Sequence, residues 1–427
     1  MDFFSYRDGQ LFAEDVPVEQ IARKAGTPCY IYSEATLLRH FGLVRDAFAA
    51  VDCLVCYSVK ANSSLAILNL LGRQGSGFDI VSGGELHRVL KAGGDPARVV
   101  YASVGKTRPE IESALKAGIL MFNVESESEL RAIDDVAGSL GKTAPVALRV
   151  NPDVDPKTHK HTTTGKKGNK FGIDLEAVER LIGSIDEFRH VKLMGIDTHL
   201  GSPINTVSPY VQALEKVLAL LGRMRSAGRT VEYLDIGGGF GIEYKGGETA
   251  TPAQYAAAIV PLVKKAGCKL IVEPGRLIVG NSGILLARVV YVKKAGRKTF
   301  VITDTAMNDL IRPALYGSFH KIWPVRTARP LSECLTARAS RNSGCIKADI
   351  VGPVCESGDF LAKGRVLPQV NEGDLLCVFS AGAYGMSMSS NYNSRPRAAE
   401  IMVSGSTFRT VRRRETYDEL LRSEMIR

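Results

Sequence analysis

The sequence predicts an α/β fold in which a (β/α)8 TIM-like barrel is followed by an antiparallel β domain. Three observations carry that expectation. Across residues 27–282, eight short apolar runs alternate with longer amphipathic segments, and strict alternation implies parallel strands joined by right-handed crossovers. A count of eight over about 250 residues favours a closed barrel over an open doubly wound sheet. After Ser282 the texture changes to strand-like runs divided by turn residues, which fits an antiparallel sandwich or barrel. At 427 residues the chain is too long for one ordinary core. The boundary is placed near residues 276–283. Residues 1–26, for which the barrel has no use, are assigned with 283–427 to the β domain.

In chain order, residues 1–26 carry no strong core pattern beyond a short edge strand ending at 9–12, and a helix is expected over 34–49. The barrel strands are expected at 53–59, 78–81, 99–102, 120–124, 146–150, 194–199, 233–236 and 270–272. Between them, helical periodicity covers 64–73, 84–92, 108–117, 127–140, 175–185, 208–227 and 252–266. Further strands are expected at 283–293, 299–303, 348–351, 374–379 and 399–403. The connection 151–169 is too long for structural filler; it carries Pro152, Pro156, threonines at 162–164 and several lysines. Placed after the fifth strand, it reads as a lid over the barrel's C-terminal face.

Composition bounds the function. Hydrophobic residues at 45% and charged residues at 23% are those of a globular protein and exclude a disordered chain. Met1-Asp2-Phe3-Phe4-Ser5-Tyr6-Arg7-Asp8 is not a signal sequence, and no run reaches the roughly 18 apolar residues of a membrane span. A cytoplasmic protein without membrane association is expected. The net charge of +10 arises from 55 basic and 45 acidic residues spread along the chain, which does not favour a nucleic-acid partner. Of two local basic concentrations, 157–170 would attract an anionic small molecule as easily as a polyanion, and 409–414 suits a solvated tail. The eight cysteines show no repeated pair spacing, and a strand points Cys53 and Cys56 to opposite faces, so no metal site is expected.

In a barrel of this kind the strand C-termini build the site. Those ends are Lys60, Asp79, His199, Gly237-Gly238-Gly239 and Glu273-Pro274-Gly275-Arg276. A strand-end lysine alone reads as a side chain snorkelling to water. A partly desolvated amine, however, is a nucleophile toward carbonyls and pyridoxal phosphate. The glycines after strands seven and eight offer backbone N–H groups for a phosphate. A carboxylate such as Glu273, ending an apolar strand, needs either a salt bridge or a protonated ring nitrogen. A flat imidazole at His199 suits stacking on a ring. These four signals converge on pyridoxal 5'-phosphate.

The residues also carry a resemblance. Tyr57-Ser58-Val59-Lys60-Ala61-Asn62, His199-Leu200-Gly201-Ser202, Gly237-Gly238-Gly239-Phe240-Gly241 and Glu273-Pro274-Gly275-Arg276 resemble the fold-type III pyridoxal-phosphate-dependent decarboxylases. Gly382-Ala383-Tyr384-Gly385 matches as well, and Arg312-Pro313-Ala314-Leu315-Tyr316-Gly317 and Gly352-Pro353-Val354-Cys355-Glu356-Ser357-Gly358-Asp359 narrow the resemblance to the diaminopimelate decarboxylases. The resemblance implies decarboxylation of meso-2,6-diaminopimelate to L-lysine and CO2, the last step of lysine biosynthesis. It implies Lys60 as the cofactor-bearing lysine, His199 stacked on the ring and Glu273 on the ring nitrogen. Asp79, Ser202, Gly238, Gly239, Gly275 and Arg276 would complete the cofactor site, with Tyr384 touching cofactor and substrate. Arg276, Arg312 and Tyr316 would hold the distal carboxylate, and Glu356 the distal ammonium. Cys355 would be the proton donor, delivered by the second subunit of a homodimer with shared sites.

The chemistry is consistent with those roles. Loss of CO2 leaves a carbanion that a protonated pyridinium delocalises, and a thiol can then protonate the α-carbon. An arginine fork suits a terminal carboxylate. Two positions depart from the family pattern: Pro203 stands where glutamine is usual, and Asn169 where serine precedes Lys170-Phe171-Gly172. Both bear on loop closure. The alternatives are a decarboxylase of ornithine, arginine or a carboxylated polyamine, and, more remotely, a non-catalytic protein that binds pyridoxal phosphate.

Overall fold

The computed structural model describes residues 3–155, 168–245, 247–328 and 344–426. The chain divides into two compact units: His40–Glu243 with Gly247–Ile278, and Met1–Arg39 with Tyr244–Gly246 and Val279–Arg427.

The first unit is a closed barrel. Its strands are Cys53–Ser58, Gly77–Ile80, Val99–Tyr101, Met121–Val124, Ala144–Asn151, Val191–Asp197, Tyr233–Asp235 and Lys269–Val272. Each pairs in parallel with the next. The eighth returns to the first through Leu270↔Cys53, Ile271↔Leu54 and Val272↔Val55, which closes the ring. Because barrel strands are covered on both faces, they read as near-continuous apolar runs rather than as alternation. Cys56, Val100, Met121, Ala147 and Ile271, from five of the strands, form a fully buried cluster in the core. Burying Val100, Met121 and Ile271 contributes about 1.5–3 kcal/mol each, so this layer is a large stabilising term. Burial pushes the Cys53 thiol up to about 12 and Cys56 well above the usual thiol range, so neither forms the reactive thiolate.

The helices begin and end where their caps dictate. Pro252–Ala266 starts at Thr251, whose Oγ1 accepts the Gln254 amide at 3.3 Å while Gln254 Oε1 accepts the Thr251 amide at 2.8 Å. It stops at Gly267, whose φ of 62° is open to glycine. Arg108–Ala117 likewise ends at Gly118 in the left-handed region. Among the described residues, no helix is long and apolar enough to cross a membrane.

The second unit is built on one nine-stranded sheet. Gly283–Ala295 is its spine: the second half pairs with Lys298–Thr303, and the first half pairs with Cys29–Ser33 and Leu375–Val378. Cys345–Val351 and Phe360–Pro368 extend one side, and Ala399–Ser404 and Thr407–Arg412 the other. Most pairings are antiparallel. Two are parallel, Lys298–Thr303 with Cys345–Val351 and Cys29–Ser33 with Ala399–Ser404. A separate three-stranded sheet holds Phe4–Arg7, Gln10–Ala13 and Val16–Pro17.

One assignment from the sequence needs correction. Residues 27–39 were placed with the barrel, yet Cys29–Ser33 is a strand of the second unit, paired as Ile31↔Ile284 and Ile31↔Ile401. All five of its residues are buried. An apolar run followed by the helix Glu34–Ala47 imitates a β/α unit, and only the long-range partners distinguish the two. Of the expected lid at 151–169, residues 156–167 lie outside the described residues.

Candidate active site

The first barrel strand runs into a tight 3-10 turn, Val59–Ala61, which lifts Lys60 out of the wall at its C-terminal end. About a third of the Lys60 side chain is exposed, and its Nζ is hydrogen-bonded to Asp79 Oδ2 at the end of the second strand. Asp79 is fully buried, and Ser58 Oγ approaches the same Oδ2 at 2.7 Å. Ser58 Oγ also lies 2.9 Å from the Glu273 carbonyl oxygen, so the ends of strands one, two and eight are tied together. Glu85, in the following helix, accepts the Val81 amide at 2.8 Å; burial pushes its carboxyl up to about 7.

A layer of buried acids lies across the mouth. Glu273, Asp235, Asp197 and Asp79 are all at most 4% exposed. Burial first, and then the charges of Asp235, Asp79 and Asp197, hold the Glu273 carboxyl well above its ordinary range. Asp235 is pushed up to about 6 by burial, although Oδ1 accepts the Gly237 amide at 2.9 Å and Oδ2 the Asn123 amide at 3.2 Å. Asp197 rises by burial and by Asp235, with Arg149 Nε 3.6 Å away opposing the rise. The Arg149 guanidinium is itself buried on Glu125 at 2.5 Å. Glu273 Oε1 is buried without a hydrogen-bond partner among the described residues.

His199 follows the sixth strand. Its Nδ1 accepts the Gly238 amide at 3.2 Å and lies 4.0 Å from Glu273 Oε2. A nitrogen that accepts an amide carries no proton, so the ring is neutral with hydrogen on Nε2. Burial, helped by the charges of Arg149 and Lys60, holds its pKa well below the ordinary histidine range.

The glycine loop after strand seven is shaped by close approach. Gly237 and Gly239 have φ of 66° and 96°, and a Cβ on Gly238 would strike the Glu273 carbonyl oxygen. The sequence expectation of three free amides needs correction: Gly237 N–H donates to Asp235 and Gly238 N–H to His199. Tyr210 and Tyr255 brace the loop through the carbonyls of Gly238 and Ile204, at 2.7 and 2.5 Å. Opposite, a Cβ on Gly275 would meet Ser58 and Ala61 at 2.9 Å, and Arg276 directs Nε and Nη2 at Ser202 Oγ, 3.4 Å away.

In the second unit, Arg312 opens the short helix Arg312–Tyr316 and is buried, with Tyr316 half-buried at its end. Cys355 is an exposed free thiol whose amide donates to Asn393 Oδ1 at 3.1 Å. The turn carrying Cys355 and Glu356 is pinned by Asp359, which accepts the amides of Met307 at 2.7 Å and Val354 at 2.8 Å. A hydrogen bond to Glu356 raises the Tyr392 hydroxyl. Tyr384 has a φ of 56°, a conformation that costs a bulky residue of order 1–3 kcal/mol and collects at functional sites. The barrel therefore brings together Lys60, Asp79, His199, Gly238, Gly239, Glu273 and Gly275, with Ser202 beside Arg276. The second unit carries Arg312, Tyr316, Cys355, Glu356 and Tyr384.

The barrel residues fit pyridoxal phosphate. The orphaned, buried Glu273 Oε1 asks for a cationic N–H, and Lys60 supplies a primary amine. Sequence reasoning missed Ser58, Asp235, Asp197 and Glu85. A charged residue inside an apolar strand, as in Leu234-Asp235-Ile236, is the signal that could have found two of them.

Known proteins identify the family to which the chain belongs. Residues 34–280 match the model of the pyridoxal-dependent decarboxylase pyridoxal binding domain. The chain is 48% identical over 426 residues to a diaminopimelate decarboxylase of Pseudomonas aeruginosa, covering 100% of this chain and 99% of that one. A diaminopimelate decarboxylase of Aquifex aeolicus is 45% identical over 420 residues, 98% of this chain and 96% of its own. Among solved structures, diaminopimelate decarboxylase from Helicobacter pylori complexed with L-lysine superposes with a TM-score of 0.89 at 38% identity, covering 95% of this chain and 99% of that one. The M. jannaschii enzyme in co-complex with L-lysine gives 0.92 at 34% identity, covering 100% and 98%.

Proposed function

With membership of the diaminopimelate decarboxylases, within the pyridoxal-dependent decarboxylase family, as the premise, we infer that this chain converts meso-2,6-diaminopimelate to L-lysine and CO2. The observation that carries the reading is the mouth of the barrel, where Lys60, Asp79, Ser58 and Glu273 are linked across three strand ends. Bound pyridoxal phosphate supplies an electron sink for the carbanion left when CO2 departs.

Every other part falls to the chain's own residues. Lys60 would hold the cofactor through its amine, and Asp79 stands beside that Nζ as the acceptor for its ammonium form. Glu273 keeps the ring nitrogen protonated, and the pairing satisfies the carboxylate that burial otherwise penalises. His199, held neutral by the Gly238 amide, offers a flat face to the ring. Gly239, Gly275, Ser202 and Arg276 hold the phosphate, while Gly238 serves as a spacer and an anchor for His199. Arg276, Arg312 and Tyr316 bind the distal carboxylate, Glu356 the distal ammonium, and Tyr384 touches cofactor and substrate. Departing CO2 leaves its bonding electron pair on the α-carbon; the Cys355 thiol delivers a proton there and is reprotonated by solvent.

The exposure of Cys355 supports its delivery to a second copy of the chain, in a homodimer with two shared sites. The test is product analysis: purified protein, pyridoxal phosphate and meso-diaminopimelate are incubated, with lysine and CO2 quantified together. Equimolar lysine and CO2 are expected. Release of CO2 from ornithine but not from meso-diaminopimelate would overturn the substrate assignment.

A further inference from the structure

We propose that His320 is a positioning residue that orients Arg312 toward the distal carboxylate of the substrate, an inference that rests on the role given above to Arg312. Arg312 is 5% exposed and His320 is fully buried. A buried guanidinium is costly unless its donors are met. Arg312 Nη1 lies 2.9 Å from His320 Nε2, and His320 Nδ1 lies 2.9 Å from the Phe379 carbonyl oxygen.

The roles in that chain are fixed by chemistry. A carbonyl only accepts, so Nδ1 carries the hydrogen, and Nε2 presents the lone pair that the guanidinium donates to. The imidazole is therefore neutral and locked in one tautomer; protonation would set N–H against N–H. The Tyr244 ring adds a second constraint. It lies 5.0 Å from the Arg312 guanidinium carbon and meets the His320 ring edge-on, with centroids 5.6 Å apart at 81°.

One hydrogen bond and one aromatic face together fix both the rotation and the tilt of the guanidinium plane. An arginine fork binds a carboxylate through two donors only when the planes agree, so orientation here is affinity. The brace is itself anchored: Arg365 Nη1 donates to the His320 carbonyl at 2.8 Å, and the Phe379 amide donates to the Lys321 carbonyl at 2.8 Å. Nothing in the sequence pattern announces this device, because His320 stands eight residues beyond Arg312 across the turn at Gly317.

Steady-state kinetics of the holoenzyme with meso-diaminopimelate separate the role from plain packing. In His320→Asn the amide nitrogen takes the place of Nδ1 and the acceptor toward Arg312 is lost; in His320→Gln the amide oxygen takes the place of Nε2 and the acceptor is kept. His320→Asn is expected to raise KM about tenfold, the scale of one hydrogen bond to a charged group, with kcat within about threefold of the parent. His320→Gln is expected to stay near the parent KM. Equal KM values for the two variants would overturn the proposal, whatever their melting temperatures. Arg312→Ala separates the two layers of inference. If it raises KM and His320→Asn does not, the role of His320 falls alone; if it leaves KM unchanged, the assignment of Arg312 falls and this inference with it. Should His320→Asn fail to fold, Tyr244→Leu carries the test: a raised KM is expected, and an unchanged KM overturns the brace.

Discussion

Glu273 Oε2 lies 4.0 Å from His199 Nδ1, and that nitrogen already accepts the Gly238 amide. The imidazole facing the carboxylate is thus neutral, so this contact supplies no positive charge to Glu273. Burial first, and then the charges of Asp235, Asp79 and Asp197, raise its pKa against the opposing charge of Lys60, so a further cation beside Glu273 would favour its ionised form.

Glu273→Gln tests that pairing. The amide keeps the shape and removes the charge that holds the ring nitrogen protonated, so kcat is expected to fall by about 10²-fold, a typical loss for one preorganised electrostatic group. Cofactor absorbance should persist, because Lys60 and the phosphate site are untouched. Full activity in the variant would remove Glu273 from the chemistry.

Lys60→Arg separates charge from nucleophilicity. The guanidinium preserves the cation beside Asp79, so the fold should hold with its melting temperature within a few degrees of the parent. Turnover should be abolished, because a guanidinium stays protonated and cannot attack an aldehyde. Borohydride treatment of the cofactor-loaded parent should leave one cofactor on the peptide containing Lys60, by mass spectrometry, and none in the variant. Labelling at another lysine would reassign the anchor.

What could be read in the sequence follows from where the chemistry sits. Lys60, His199, the glycine loop and Glu273 each end an apolar run, so the barrel's own rule found them together. Asp235 and Asp197 sit in largely apolar strands, where burial and then Asp235 raise the Asp197 carboxyl against the opposing charge of Arg149, a relationship that spacing does not encode. Gly238 reads as a free phosphate amide until His199 is seen to take it. Cys29–Ser33 has the texture of a barrel strand and joins the β unit because its partners, Ile284 and Ile401, lie far along the chain.

Mixing subunits examines the placing of Cys355. If its thiol serves the second copy, Lys60→Ala and Cys355→Ala homodimers are both inactive, while each mixed dimer contains one intact site. Random reassortment should then restore about a quarter of parental activity, as the symmetry of a two-fold dimer requires. Verified mixed dimers without activity would place Cys355 and Lys60 of the same chain in one site.

The buried acids also predict how the cofactor changes stability with pH. In the cofactor-free protein Glu273 and Asp197 are raised well above the usual carboxylate range, and Asp235 to about 6. The folded state therefore holds protons that the unfolded chain, with carboxylates near 4, has released. The stability these groups contribute is complete below their unfolded values and is lost as pH rises through the folded ones. A pyridinium beside Glu273 favours its ionised form and cancels part of that loss. The melting temperature gained on adding saturating pyridoxal phosphate should accordingly be larger at pH 8 than at pH 5, by about 2–5 °C, since one pKa unit is worth about 1.4 kcal/mol. Comparing the two forms at each pH removes the titration of every group the cofactor does not touch. Glu273→Gln should flatten the difference, and a gain independent of pH in the parent would mean that the cofactor's ring does not meet this carboxylate.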